Sequence, residues 1–324
     1  MKIFALTNGD PSCASTLYRL LQFRPLMEEA AIEFEYAEAE EFSDFQRLEE
    51  ADAVVLQKFL LEPPRMQVIR KHARRLVYDI DDTIWHSPSG QPHAWITRQR
   101  KLQQLRGIAE VCDLCIAANY VIANDLDDAG ARRIRVLPMA LDETHWHRRP
   151  HESDRLTIGW TGSPSMMRYL EAIRAGLALV HERHPEVRLC VHSGAYPDFG
   201  GLKYDYRPFI PASEPETVSQ FDIGLIPLPD EPFSRGKSPI KVLQYFSCGV
   251  AVIGGPVGAT GELMVDEVNS LFVGPNRHWE DAICQLIEDE PLRRSLVENG
   301  AQQFQQHHTT RQIFPRLIGL LTKE

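Results

Sequence analysis

Short apolar runs recur along the chain, and most are followed by a stretch in which apolar positions return every three or four residues. Lys2–Leu6, Ala53–Gln57, Leu76–Ile80, Leu114–Ala118 and Arg135–Pro138 read as strands. After a break, so do Leu156–Thr161, Arg188–His192, Asp222–Pro227, Val250–Gly254 and Leu271–Val273. Helical patterns lie between them at Ser15–Ala31, Pro64–Ala73, Ile96–Val111, Met166–His184, Trp279–Glu288 and Pro291–Gln306. Strands alternating with helices predict parallel sheets covered on both faces, so the class is α/β. About five strands per half predicts two doubly wound, Rossmann-like domains facing a central cleft.

The join is placed in the polar, proline-containing stretch Leu141–Arg155, where His145, His147 and His151 read as surface residues. This gives domains over 1–150 and 151–308. A last helix over 309–324, apolar at Phe314–Leu321, is expected to pack back toward the first domain.

The stretch Ser234–Gly258 carries the strongest chemical signal. Ser238 before Pro239 reads as a helix cap with proline at the first helical position, and Gly249 reads as the stop. Ile240, Leu243 and Phe246 are expected on the buried face, with Lys241, Gln244 and Tyr245 on another. Arg235, Lys237 and Lys241 crowd the positive end of the helix dipole, where a cation costs about 0.3–1 kcal/mol. A bound phosphate or diphosphate would reverse that cost. The pattern therefore predicts that Lys237→Ala combined with Lys241→Ala removes nucleotide binding and leaves the fold intact.

Leu76–Trp85 is the second signal, a buried strand followed at once by Asp79, Asp81 and Asp82. Alternation would aim Asp79 and Asp81 one way and Asp82 the other. Crowded carboxylates raise one pKa, which suits proton transfer.

Composition narrows the partners. With 324 residues, a net charge of −10 and 25% charged residues, the chain suits two domains and not a nucleic-acid binder. No apolar run reaches membrane-span length, and the start reads as a strand and turn. The six cysteines are scattered, as reduced cytoplasmic thiols are, and Cys112 and Cys115 read as buried thiols, with no metal site expected. Arg65, Arg70, Lys71, Arg74, Arg75, Arg98, Arg100, Lys101 and Arg106 form a basic face, a solvated surface or a weak contact for anionic lipid at the inner membrane.

Several blocks, in order, resemble GT-B glycosyltransferases, family 4 in particular: I-G-W-T-G-S-P-S at 158–165, F-D-I-G-L-I-P-L-P at 221–229, and K-V-L-Q-Y-F-S-C-G-V-A-V-I-G-G-P-V-G followed by G-E-L-M-V-D-E-V-N-S-L-F-V. In the first half, C-D-L-C-I-A-A-N-Y-V-I and R-I-R-V-L-P-M-A-L-D are similar to the segment ending the family's acceptor domain. The resemblance implies transfer of a sugar from a nucleotide-diphosphate donor (UDP-, GDP-, ADP- or TDP-linked) to a hydroxyl of a sugar, lipid-linked or other acceptor in glycan biosynthesis. It implies a retaining, metal-independent reaction with no cofactor required. Gly162 and Ser163 would approach the diphosphate through backbone N–H groups, and Arg235, Lys237 and Lys241 would neutralise it. Gln244 would bind the ribose, Phe209 and Ile210 would border the base, and Gly258, Ala259, Thr260 and Glu262 would face the sugar and phosphates.

On the acceptor side, the family's histidine falls at Asp81, with Asp82 and Asp79 beside it as catalytic candidates. Asn8, Asp10, Arg19 and His86 are the acceptor candidates. Two departures stand out. The family's paired glutamates, separated by seven residues, align with Gly236 and Gln244, and Ser163 and Ser165 replace the usual basic pair. Asp79, Asp81 and Thr83 also resemble the Asp-x-Asp-x-Thr nucleophile motif of haloacid-dehalogenase-type, Mg²⁺-dependent phosphatases, with Thr161 and Lys203 in the remaining roles. A third reading is a catalytically degenerate GT-B binding protein.

Overall fold

The structure, a computed structural model, describes residues 1–88, 95–152 and 154–322. The chain forms two compact units. Met1–Asp142, Glu231–Ser238 and His308–Glu324 make the first, and Glu143–Asp230 with Pro239–His307 make the second.

The first unit holds a six-stranded parallel sheet of β1 (Lys2–Thr7), β2 (Glu33–Glu38), β3 (Ala53–Gln57), β4 (Leu76–Ile80), β5 (Leu114–Ala117) and β6 (Ile134–Val136). Its order is β2-β1-β3-β4-β5-β6. Strands β3, β4 and β5 are buried at every position, which is why they read as largely apolar runs, with Gln57 and Asp79 the polar exceptions. Ile3, Val55, Val77 and Ile116 form a core with Ile313, Leu317 and Leu321 of the Thr310–Thr322 helix.

The second unit has β7 (Thr157–Gly162), β8 (Arg188–Ser193), β9 (Asp205–Pro208), β10 (Ile223–Ile226), β11 (Ala251–Gly254) and β12 (Ser270–Phe272), all parallel, in the order β12-β11-β10-β7-β8-β9. The order reverses between β1 and β3 in one sheet and between β7 and β10 in the other. Open α/β sheets bind ligands at such points, outside the carboxyl ends of the strands. The fold is that of two Rossmann-like domains.

Each sheet has one strand more than the apolar runs indicated. β2 (Glu33–Glu38) and β9 (Asp205–Pro208) are half-solvated edge strands rich in charge, so they carry no continuous apolar signal. The expected Ser15–Ala31 helix is broken after Arg19 and restarts at Arg24, with Pro25 in its first turn. Among the described residues, no helix is long and apolar enough to cross a membrane.

Candidate active site

In the first unit, polar groups gather where β1, β3 and β4 end. Asn8 leaves β1 and its backbone N–H donates to Gln57 Oε1 at 3.0 Å. Lys58 follows β3 in the left-handed region, at φ 60°, with its N–H on Asp79 O at 2.8 Å. A side chain held there costs on the order of 1–3 kcal/mol and aims Lys58 at the end of β4. Its ammonium donates to Ser15 Oγ at 2.8 Å and lies 3.4 Å from Asp81 Oδ1 and 3.6 Å from Asp82 Oδ2. Ser15 in turn donates to Asp81 Oδ2 at 2.8 Å. Asp81 and Asp82 therefore converge on one cation and do not point apart, because strand alternation ends at Ile80. Burial acts to raise the Asp81 carboxyl, but Lys58, Ser15 and Arg19 outweigh it and hold the group below its ordinary value. Asp81 is thus an anion at neutral pH and a weak proton acceptor, suited to stabilising positive charge.

Asp79 and Arg19 take roles other than those expected. Arg19 is 4% exposed, donates to both Asp79 oxygens at 2.8 and 2.6 Å, and also donates to Leu137 O. Its guanidinium is spent inside the unit and is not available to an acceptor phosphate. Burial pushes the Asp79 carboxyl up, against the pull of Arg19. With both oxygens gripped, Asp79 cannot attack phosphorus, which removes the phosphatase reading. Asp10 is exposed and accepts from Ser12 N–H at 2.8 Å, a turn contact. His86 Nε2 lies 3.8 Å from Asp125 Oδ2, the oxygen that accepts from Trp85 Nε1 at 2.8 Å.

Arg235 and Lys237 fall in the first unit. Arg235 closes the short Pro232–Arg235 helix, where a cation suits the dipole. Lys237 pairs with Asp82 Oδ2 at 2.9 Å and sits 4.3 Å from the centre of the Phe233 ring. Ser238 does not cap the helix; its hydroxyl donates to Asp81 O at 2.5 Å, and Pro239 is the cap residue. Gly236 O accepts from Asn119 Nδ2 at 3.3 Å. A Cβ at Gly236 would lie 2.2 Å from Thr83 Cγ2, so the position that carries a glutamate in the resembling family has no room here for a side chain.

The second unit gathers its polar groups where β7 and β8 end. Glu214, 3% exposed, is the hub. Its Oε1 accepts from Lys241 Nζ at 2.7 Å and from Thr161 Oγ1 at 3.1 Å, and its Oε2 accepts from Gln244 Nε2 at 3.3 Å. Burial acts to raise the Glu214 carboxyl, but Lys241 and its other neighbours hold it below the ordinary value. His192 Nδ1 lies 3.1 Å from Thr161 Oγ1, and burial lowers the His192 pKa. Gln244 and Tyr245 are fully buried, so the Ile240–Cys248 helix has no polar outer face there, contrary to the amphipathic expectation. Gly249 ends it in the left-handed region at φ 74°.

Phe209 and Ile210 are 41% and 52% exposed and follow β9, with the Phe209 ring 5.3 Å from that of His192. Gly162 is buried at the end of β7, where a Cβ would lie 2.4 Å from Trp160, so the position has no room for a side chain. Ser163 is exposed and sits at the cap position, but its hydroxyl meets Ser165 Oγ at 2.9 Å. Gly258 opens the Ala259–Leu263 helix at φ 49°, Ala259 and Thr260 are buried, and Glu262 is exposed.

Two strategic groups carried no sequence signal: Lys58 and Glu214. Each is a single polar residue at a strand or helix end whose side-chain partners lie more than twenty residues away along the chain. Five of the nine basic-face cations are engaged internally. Arg65 donates to Phe42 O, Arg70 pairs with Asp113, Arg75 donates to Leu320 O, Arg100 pairs with Glu62 and Lys101 donates to Ile84 O.

Comparison with known proteins agrees with this architecture. Residues 168–319 match the family model described as glycosyl transferase-like. The fold is the GT-B fold seen in solved glycosyltransferase structures. HepE of Anabaena in complex with UDP superimposes with a TM-score of 0.73 at 18% identity, over 99% of this chain and 100% of that one. Sucrose-phosphate synthase of Thermosynechococcus elongatus gives 0.74 at 15% identity, over 99% and 98%. A glycosyltransferase of Rickettsia africae gives 0.67 at 11% identity, over 99% and 97%. A sequence comparison with curated proteins finds no match.

Proposed function

We propose that the protein transfers a sugar from a nucleoside-diphosphate donor to an acceptor hydroxyl, with retention and without a catalytic metal or other cofactor. The observation that carries this reading is the cluster Thr161, His192, Glu214, Lys241 and Gln244 at the carboxyl ends of β7 and β8. Lys241 neutralises the donor diphosphate, exchanging part of its pairing with Glu214 for the ligand. Phe209 and Ile210 offer exposed apolar surface to the base. HepE of Anabaena was crystallised with UDP and with UDP-glucose, which favours a uridine donor here. Lys237 serves the first unit's Asp82 before it serves any phosphate.

Asp81 and Asp82 hold fixed negative charge in the first unit, and Lys58 sets their position. Charge that is preorganised where positive character develops at the anomeric carbon stabilises the transition state without reorganisation. The six unpaired cysteines fit a reducing, cytoplasmic setting. A screen of UDP-, GDP-, ADP- and TDP-sugars by thermal shift, with no Mg²⁺ or Mn²⁺ added, tests the donor. NMR of the product's anomeric configuration tests retention.

One observation favours a second reading, a GT-B protein that binds nucleotide sugars without transferring them. Gly236 supplies no side chain where the resembling enzymes have a carboxylate, and Thr83 fills the space. Transfer or donor hydrolysis above the uncatalysed rate rules that reading out.

A further inference from the structure

We propose that His184, Cys284 and Glu288 form a divalent-metal site, zinc by its donor set, at the edge of the second sheet where the strands begin. His184 ends the Arg174–Arg183 helix just before β8, whereas the donor cluster lies at the opposite ends of β7 and β8. Cys284 and Glu288 are one helical turn apart on the Trp279–Glu288 helix, on one face. The three ligand atoms lie within 4.8 Å of one another, and among the described residues no other group of three such side chains does so.

The geometry suits a tetrahedral ion. Zinc binds nitrogen, oxygen and sulfur at about 2.0–2.3 Å, so neighbouring ligand atoms span roughly 3.3–3.6 Å. His184 Nε2 lies 3.0 Å from Glu288 Oε1, which requires an opening of only a few tenths of an ångström. The other ring nitrogen, Nδ1, lies 3.4 Å from Glu186 Oε1. Closed to hydrogen-bonding distance, that carboxylate would hold the tautomer that points a lone pair at a metal, as metal-bound histidines regularly have. A surface ion pair accounts for His184 and Glu288 alone, but it does not account for a buried thiol as the third group.

Glu288 is 59% exposed at its side chain and gives an ion access, whereas Cys284 is 4% exposed. Arg183 lies beside the Cys284 sulfur, within hydrogen-bonding reach. The charges of a divalent ion and Arg183 then meet Glu186, Glu288 and the thiolate, and the cluster is neutral. Three protein ligands leave a fourth position for water. The bound ion would pin the helix carrying Leu177 and Val180 to the one carrying Ala282, Ile283 and Leu286, all members of the second unit's core.

The test is a Co²⁺ titration of the metal-stripped full chain, followed by Zn²⁺ competition. One equivalent of Co²⁺ should give a thiolate-to-cobalt charge-transfer absorption that Zn²⁺ abolishes. Cys284→Ser should remove that absorption. Glu288→Gln, a change at an exposed side chain that leaves the fold intact, should weaken Co²⁺ binding more than tenfold. Glu186→Gln should weaken it by about 10- to 100-fold. Zn²⁺ should raise the Tm of the wild type and not that of Glu288→Gln. Absence of the absorption in the wild type, or equally tight Co²⁺ binding by Glu288→Gln, would overturn the proposal.

Discussion

Lys241→Ala separates a donor-binding role from a structural one. In the structure Lys241 is 31% exposed at its side chain and Glu214 only 4%, with 2.7 Å between them. Removing the lysine leaves a buried carboxylate that keeps Thr161 and Gln244 as donors. Breaking a fully buried pair costs about 3–5 kcal/mol. The remaining hydrogen bonds and the partial solvation of Lys241 reduce this to about 2 kcal/mol. Glu214→Gln strands no charge and should cost about 1 kcal/mol. The double variant should recover part of the Lys241→Ala loss, a coupling of about 1–2 kcal/mol in urea unfolding. The stability cost also means that Lys237→Ala with Lys241→Ala is not neutral to the fold, because both lysines hold carboxylates. In donor titration, losing a charge-assisted contact worth about 1.5–3 kcal/mol should weaken UDP binding by Lys241→Ala roughly 10- to 100-fold. Glu214→Gln, which frees the lysine, should bind UDP at least as tightly as the wild type. Unchanged UDP affinity in a folded Lys241→Ala protein refutes the reasoning.

Arg19→Ala should destabilise the protein by about 3–5 kcal/mol, since it strands Asp79 in the middle of the first sheet, whereas an acceptor-binding arginine would change KM alone. Asp81→Asn should lower kcat far more than it raises the donor Kd; an equal loss of both would mean that the carboxylate acts on the donor. Gly236→Ala should cost about 1–3 kcal/mol in chemical denaturation, and Thr83→Ala in the same chain should restore most of it. The His192 pKa is lowered from its ordinary value of 6.5 by burial, so the unfolded chain binds the proton more tightly than the folded one. Its contribution to stability is complete above pH 6.5 and is lost as pH falls from there through the lower folded value. His192→Gln should flatten the pH dependence of urea unfolding in that window.

The central strands were legible because parallel sheets bury both faces, and β3 (Ala53–Gln57) and β4 (Leu76–Ile80) appear as mainly apolar runs with those bounds. The edge strands were not, since Glu33–Glu38 alternates acid with apolar side chains and Asp205–Pro208 has no buried position. The Ser234–Gly258 segment was visible as a motif, but the carboxylate partners of its lysines were not. Basic residues at a helix start looked unpaired only because their partners, Asp82 and Glu214, lie 155 and 27 residues away. Asp81 was visible from its position after a buried strand, and Lys58, which sets its charge state, was not. The Cys284 and Glu288 spacing is ordinary in a helix and gains meaning only from His184, brought in by the turn before β8.

Isothermal titration of the full chain with UDP and with UDP-glucose, without added Mg²⁺ or Mn²⁺, bears most directly on the donor site. The account predicts one site per chain with a dissociation constant in the range of about 1 μM to 1 mM common for enzyme substrates, weakened by Lys241→Ala. Heats no larger than dilution for these and for the GDP-, ADP- and TDP-linked donors would contradict it.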